Sequence, residues 1–510
     1  MNRQAAVLTL AVFATGFSGL MAEYSVSTVV GYLTGDTIAA YSILIGVFMA
    51  SMGLGAFGSE RLEDGSELRR YLLVETALSI VVAASTVWIT RAAVYDLTWP
   101  AAIVVAVIVG VLIGFEIPLL LRFNDKRDVL LKKNVALILG ADYFGAFVAA
   151  VAFVYWFLPV LGTVGTPVAA GAVNLFIAVL VLFTFEKPSR ELSISMALAA
   201  ALITVIGAFG ERVVMSSEQR QYEDLIVFSE QTLHQRIVVT RYKDTHCLYL
   251  NGQTQMCTSD EHRYHEALIH PAMWINPRAR RALVLGGGDG LAVRELLKYR
   301  GIRHITLVDL DERILDLARE LEPLREANEG SLDDPRVEVV AADGFAWLSD
   351  SRELFDVVVV DLPDPGHVAL AKLYSTEFYE TVRNHLAPDA VMVTQSTSPI
   401  HAPETFAIIW HTIDESGLDP LPYRVNVPTF GDWGFNIAVR EGHMNSAQLQ
   451  ERLDRFEPPV HTDFLNNSAM VAATRFEKGI FPENPALLPV SRLVRPAVYE
   501  AYQRAWTGVD

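Results

Sequence analysis

The chain has 510 residues, enough for two or three domains, and a formal net charge of −18 from 41 basic and 59 acidic side chains. That balance argues against nucleic acid as a partner and suits a cationic ligand. An apolar fraction of 51% is high for a soluble enzyme, and it is concentrated in the first 210 residues.

In that region about seven apolar runs fall at 5–32, 38–58, 71–90, 99–121, 135–158, 164–185 and 193–210, each near the roughly 20 residues that cross a bilayer. The first run is too long for the core of a signal peptide and is followed by others, so it reads as a retained helix. Leu161–Pro167 is expected to be a tight loop between the fifth and sixth runs. Glu23, Glu116 and Asp142 lie within or at the ends of these runs. Acids in hydrocarbon face the bundle interior, either as packing contacts or along a cation path. Gly16, Gly19, Gly53 and Gly55 suit close helix packing. Arg3, Arg61, Arg69, Arg70, Arg122, Lys126, Arg127, Lys132, Lys133, Lys187 and Arg190 fall in alternate loops, and Arg91 is the only basic residue in the others. Under the positive-inside rule this puts the C-terminal half outside the cytoplasm.

Residues 215–270 read as a small strand-rich lobe, with strands near Tyr222–Phe228 and His234–Thr240 and a hairpin about Asn251-Gly252. Cys247 and Cys257, the only cysteines, flank that hairpin. A disulfide and a pair of buried free thiols both remain open. The first would fit an oxidising compartment.

From 271 to about 445 strand and helix patterns alternate, with strands near 282–286, 304–309, 336–341, 356–361, 390–395 and 434–439. Such alternation predicts an α/β doubly wound, Rossmann-like, largely parallel sheet. Its first strand runs into Gly286-Gly-Gly-Asp-Gly290 and then a helical pattern. This is a turn where backbone can approach a ligand closely beside unpaired helix N–H groups. Asp309 ends the next strand, at the spacing of a ribose-binding carboxylate. Asp289, Asp309, Asp343 and Asp361 all lie at or just after strand ends, on the edge where such sheets bind ligands. Asp361 and Asp364 are three apart across a proline turn, suited to an ammonium and to taking a proton from an amine. No residue cluster has metal-ligand spacing.

These motifs resemble the spermidine synthase family of polyamine aminopropyltransferases, in its membrane-attached, multi-span branch. The likeness runs from about 220 to 440 through Gln235, Asn251-Gly252 with Gln255, Asp260-Glu261, Tyr264-His265-Glu266, the glycine turn, Asp309, Asp343-Gly344, Asp361–Pro365, Gln395–Pro399 and Pro428–Phe435. It implies a methyltransferase-type fold that takes decarboxylated S-adenosylmethionine as co-substrate, with no resident cofactor and no metal. By the resemblance, Gln235, Gly286, Gly288, Asp309, Asp343 and Gly344 hold the nucleoside. Asp289 takes the aminopropyl ammonium and repels the carboxylate of intact S-adenosylmethionine. Tyr264, His265, Asp361 and Asp364 line the acceptor amine, with Asp361 as the base. A homodimer is a further family expectation. Asn251, Pro365-Gly-His-Val368 and Phe430 depart from the family pattern, the second in a wall of the nucleoside pocket and the third near the acceptor, and these two bear on which acceptor is taken.

The expected activity converts putrescine or a related amine to spermidine with release of methylthioadenosine. Its rivals are a methyltransferase using intact S-adenosylmethionine, and a polyamine transporter or sensor that binds without turnover. The expected location is the cell membrane, multi-pass. A donor made in the cytosol favours the cytoplasmic side, against the loop charges. Residues 446–510 read as a C-terminal extension of no legible role.

Overall fold

The computed structural model describes residues 3–35, 37–61, 66–125, 131–185, 189–482 and 484–507. Lys126, Arg127 and Lys187, among the loop charges above, lie outside them. The chain divides into two compact units, Met1–Ile226 and Val227–Asp510.

The first unit is mostly helical in its described residues, with α1 Arg3–Thr34, α2 Thr37–Glu60, α3 Glu67–Ala93, α4 Thr98–Asp125, α5 Leu131–Ala152, α6 Leu158–Phe185 and α7 Arg190–Glu218, and it ends two residues into the first strand. Six stretches are long and apolar enough to cross a membrane, and the fifth, Val135–Phe185, is 51 residues long. The expected loop over 161–167 is reduced to a break at Gly162, where two helices meet across a kink. A π turn at Phe153–Phe157 leads from α5 into α6, and the chain bends at Gly162, whose φ of 66° and ψ of −171° need a residue without Cβ. At 1.5 Å per residue the stretch would measure about 77 Å if straight, more than twice the hydrocarbon thickness. The bend therefore divides it into two arms.

Small residues bring the helices together. A Cβ at Gly16 would meet the Asp142 carbonyl oxygen at 2.1 Å, and one at Gly55 that of Val111 at 2.2 Å, whereas Gly53 has nothing within 4 Å. Glu116 is fully buried, while Glu23 and Asp142 are half-buried. The sequence reading overlooked a fourth acid: Glu75 is 1% exposed and accepts hydrogen bonds from Thr15 of α1 at 3.1 Å and Tyr71 at 2.6 Å.

In the second unit, β1 (Leu225–Gln231), β2 (Arg236–Tyr242), β3 (Thr245–Leu250) and β4 (Gln253–Cys257) form a four-stranded sheet in that order. Asn251 and Gly252 take φ of 50° and 78° at the β3–β4 turn, the left-handed pair that a two-residue hairpin requires. Cys247 pairs with Cys257 in register and forms a disulfide with it.

A seven-stranded sheet follows, in the order β10-β11-β9-β8-β5-β6-β7. Its strands are β5 Arg281–Gly286, β6 His304–Asp309, β7 Val337–Ala341, β8 Phe355–Asp361, β9 Leu386–Gln395, β10 Leu418–Val427 and β11 Gly431–Arg440. The pairs β9–β8–β5–β6–β7 are parallel, as expected, while β11 adds antiparallel to β9 and β10 to β11. Strand β10 is not among the expected strands, and Pro420 and Pro422 interrupt it. It is tolerated because β10 is the edge strand, where a missing N–H need cost no ladder bond. Val284 of β5, which is buried from Ala282 onward, packs into a core with α8 (Glu261–Ile275), α9 (Leu291–Leu297) and α10 (Glu312–Glu320). Leu283 and Leu285 point to the opposite core, with the helices Thr376–Asn384, Pro403–Asp414 and Ala497–Thr507. Burial on both faces accounts for the nearly unbroken apolar runs of the parallel strands.

Candidate active site

The carboxyl edge of the parallel strands gathers most of the residues singled out from the sequence. β5 ends at Gly286 in register with Asp361 of β8. Gly286 has φ of 81°, and a Cβ there would meet the Asp361 carbonyl oxygen at 2.0 Å. Glycine is thus dictated both by backbone conformation and by contact with the neighbouring strand. Gly290, at φ 83°, turns the chain into α9, and the Asp289 carboxylate accepts from Leu291 N at 2.9 Å.

Asp309 ends β6 with its carboxylate against the glycine turn. Oδ2 accepts from Gly288 N and Oδ1 from Asp311 N, each at 3.0 Å. Burial outweighs these bonds and pushes its carboxyl up to about 6. Gln235 does not reach Asp309. Its amide donates to Asp311 Oδ2 at 3.0 Å, and Thr232 donates to the same oxygen at 2.7 Å, tying the small sheet to the loop after β6.

Asp343 follows β7 but is already engaged. It caps the helix Gly344–Asp350 through Phe345 N and Ala346 N and pairs with Lys372. Burial alone would raise its carboxyl, yet Lys372 and the backbone bonds hold it below the usual range.

Asp361 and Asp364 are supported differently. The Tyr264 hydroxyl donates to Asp361 Oδ1 at 2.6 Å. Asp364 Oδ2 accepts from Thr397 at 3.0 Å and Tyr502 at 3.1 Å, and Gln395 reaches Oδ1 at 3.4 Å. All these donors are neutral. Burial raises both carboxyls. The His265 charge and the Tyr264 bond counter this at Asp361, while Asp364 reaches about 6. Thr397 holds its position at φ 59°, a costly conformation for a β-branched residue.

Tyr264 and His265 come from α8, where nearly every side chain is buried. Tyr264 is fixed by Phe430 and Phe435, with ring centroids 6.1 and 5.2 Å away. His265 Nδ1 lies 2.9 Å from Glu261 Oε2, and Glu261 takes a two-pronged bond from Arg294 at 2.8 and 3.0 Å. Burial opposes a charge on His265, but the Glu261 bond and the carboxylates of Glu261, Asp289 and Asp361 push it up to about 9. Imidazolium is therefore the resting form at neutral pH, beside Asp289 and Asp361. Glu266 points elsewhere: it is fully buried and accepts three backbone N–H bonds from Asp463, Phe464 and Leu465 at 2.6, 3.0 and 2.7 Å. Asp260 likewise ties down Thr429, at 2.8 Å to its N–H.

Three contributors escaped the sequence reading. Arg294 sits 33 residues from Glu261. Tyr374 donates to the Pro363 carbonyl at 2.9 Å, within the proline turn. Tyr502 lies 138 residues beyond Asp364. None has a local pattern to mark it.

Fold and site together define a Rossmann-like α/β domain of the enzyme type that carries carboxylates along the carboxyl edge of its parallel strands, here Asp289, Asp309, Asp343 and Asp361. The Spermine/spermidine synthase domain family matches residues 261–451. The polyamine aminopropyltransferase 1 of Streptomyces coelicolor is 38% identical, over 98% of this chain and 94% of that protein. The polyamine aminopropyltransferase of Oceanobacillus iheyensis is 36% identical, over 96% and 95% respectively. A solved spermidine synthase from Thermotoga maritima has 27% identity and a TM-score of 0.44, covering 50% of this chain and 85% of its own. The chain belongs to the polyamine aminopropyltransferase family.

Proposed function

We propose that the protein transfers the aminopropyl group of decarboxylated S-adenosylmethionine to putrescine or a related amine, giving spermidine and methylthioadenosine. Asp309 and the glycine turn are assigned to the nucleoside, Asp289 to the aminopropyl ammonium, and Asp361 and Asp364 to the acceptor. The acceptor nitrogen attacks the carbon bonded to the sulfonium as its proton passes to Asp361. The carbon–sulfur bond breaks with its electron pair going to sulfur, which leaves as a neutral thioether. Holding nitrogen, carbon and sulfur in line accounts for much of the acceleration, and proton removal by a fixed base adds roughly 100- to 10,000-fold.

The observation that carries this reading is the pair of buried carboxylates, Asp361 and Asp364, whose hydrogen-bond donors are all neutral. Among the described residues neither carboxylate pairs with a lysine or arginine, whereas Asp343 is held by Lys372. The helical unit is read as a multi-pass anchor in the cell membrane.

The test is methylthioadenosine release by the purified full-length protein, given decarboxylated S-adenosylmethionine and a panel of diamines. Release that requires one diamine, and that ceases with intact S-adenosylmethionine, is expected. Absence of release with every diamine would overturn the assignment.

A further inference from the structure

We propose that the C-terminal helix Ala497–Thr507, outside the matched family domain, forms a wall of the acceptor-amine site, and that Tyr502 is the positioning residue that orients Asp364 and so sets the length of amine accepted. This rests on the assignment of Asp364 to the acceptor.

The helix is built into the unit. Ala497, Val498, Ala501 and Tyr502 are buried against the core that carries Leu283 and Leu285 of β5. Its docking face meets the segment after the acidic pair. Gln503 Nε2 donates to the Gly366 carbonyl at 2.9 Å, and a Cβ on Gly366 would come within 3.6 Å of Tyr502 Cε1. Gly366 belongs to Pro365-Gly-His-Val368, where the sequence departs from the family pattern. The altered segment and the added helix therefore lie against one another.

Two hydroxyls then converge on one oxygen of Asp364, Thr397 at 3.0 Å and Tyr502 at 3.1 Å on Oδ2. Thr397 pays for its place with φ of 59°. Two donors on Oδ2 fix the rotation of the carboxylate and leave Oδ1, with only a 3.4 Å approach from Gln395, as the better acceptor for an ammonium. An amine whose reacting nitrogen lies at Asp361 and whose far ammonium lies at Asp364 is measured between the two. Freeing Asp364 to rotate blurs that measurement.

The experiment compares wild type, Tyr502→Phe, Asp364→Asn and the double variant, with diamines differing by one methylene. For Tyr502→Phe the KM of the preferred diamine is expected to rise about tenfold, as for loss of a hydrogen bond to a charged group. kcat should change by less than about threefold, and the kcat/KM ratio between neighbouring diamines should shrink severalfold from the roughly 10- to 200-fold that a methylene can command. Tyr264, Tyr374 and Tyr502 are the titratable groups that interact with Asp364. Loss of the Tyr502 donor should move the acid limb of diamine kcat/KM upward in pH. In the Asp364→Asn background the same substitution should add nothing to KM. Arg504→Ala, on the same helix as Tyr502, removes an exposed pair with Glu404 of the helix Pro403–Asp414 and should leave every parameter unchanged.

Wild-type KM, diamine ratio and pH limb in a folded Tyr502→Phe protein would overturn the proposal, as would an equal KM effect in the Asp364→Asn background. A poorly folded Tyr502→Phe protein whose KM for decarboxylated S-adenosylmethionine rises as much as that for the diamine would also overturn it, as a general packing defect. An inactive wild type would instead overturn the functional assignment itself.

Discussion

Gly286→Ala separates the geometry of the base from the geometry of the nucleoside. Its φ of 81° costs an alanine roughly 1–2 kcal/mol. The new methyl would stand 2.0 Å from the Asp361 carbonyl oxygen, against 3.4 Å for ordinary contact, so the two strand ends must part by about 1.4 Å. Because Gly286 and Asp361 are register partners, that displacement falls on the base. A misplacement of about 1 Å costs on the order of 100-fold in rate, so kcat is expected to fall by about that factor or more. Gly288→Ala provides the contrast. Its methyl would meet Asp309 Oδ2 at 2.8 Å and Ile314 Cγ2 at 2.7 Å, so it should chiefly raise the KM for decarboxylated S-adenosylmethionine, by about tenfold, with a smaller loss in kcat. The assay is steady-state methylthioadenosine release with both substrates varied, alongside thermal unfolding to confirm that each variant is folded. A folded Gly286→Ala enzyme with kcat within about threefold of wild type would refute the coupling of turn to base.

Burial raises Asp364 from 3.8 to about 6, so the carboxylate proposed to bind the diamine is lost on acidification. kcat/KM for the diamine should fall about tenfold per pH unit below 6, and Asp364→Asn should abolish that limb along with most of the affinity. The same shift has a stability consequence of opposite direction. A raised folded pKa contributes stability that is fully present below 3.8 and lost as pH rises through 6, so the melting temperature of Asp364→Asn relative to wild type should climb across that window and then level off. Glu266→Gln keeps only one oxygen for three backbone N–H groups and should destabilise the second unit by roughly 2–4 kcal/mol in denaturant unfolding. An unchanged unfolding midpoint would show that the 463–465 loop does not depend on it. Cys247 and Cys257 should resist maleimide in intact cells until a reductant is added, as read by a gel-shift of the labelled chain.

What could be read from the sequence was chemistry held in consecutive residues. The glycine turn, Asp309, and the Asp361–Asp364 spacing all sit on a sheet edge whose strands announce themselves as apolar runs. The Asn251-Gly252 hairpin was legible because only that turn type asks for two positive φ values in succession. Contacts between distant segments were not. Glu75 lies within the apolar run 71–90 with nothing local to mark it, yet it is buried against Thr15 of another helix. Tyr502 and Arg294 carry no marking pattern, since what defines them is the partner they reach. Asp343 was legible as an edge carboxylate, but its pairing with Lys372 depends on a helix packed from elsewhere in the chain.

The bend at Gly162 bears on which side of the membrane the enzyme works. If Val135–Phe185 crossed once, Arg190 would fall on the face opposite Arg61, Arg69, Arg70 and Arg122, against the positive-inside rule. Two crossings, which its length also demands, return Arg190 to the face that carries the other four. The count would then be odd, and by this reading the chain beyond Glu218 would emerge on the face opposite Arg3. A disulfide between Cys247 and Cys257 belongs in an oxidising compartment, so charge and sulfur point the same way. The cytosolic origin of a nucleoside donor argues the reverse. Alkylation of Cys247 in intact cells without reductant would decide for the cytoplasm and require one crossing fewer, which would make α5 and α6 a single membrane element despite their length.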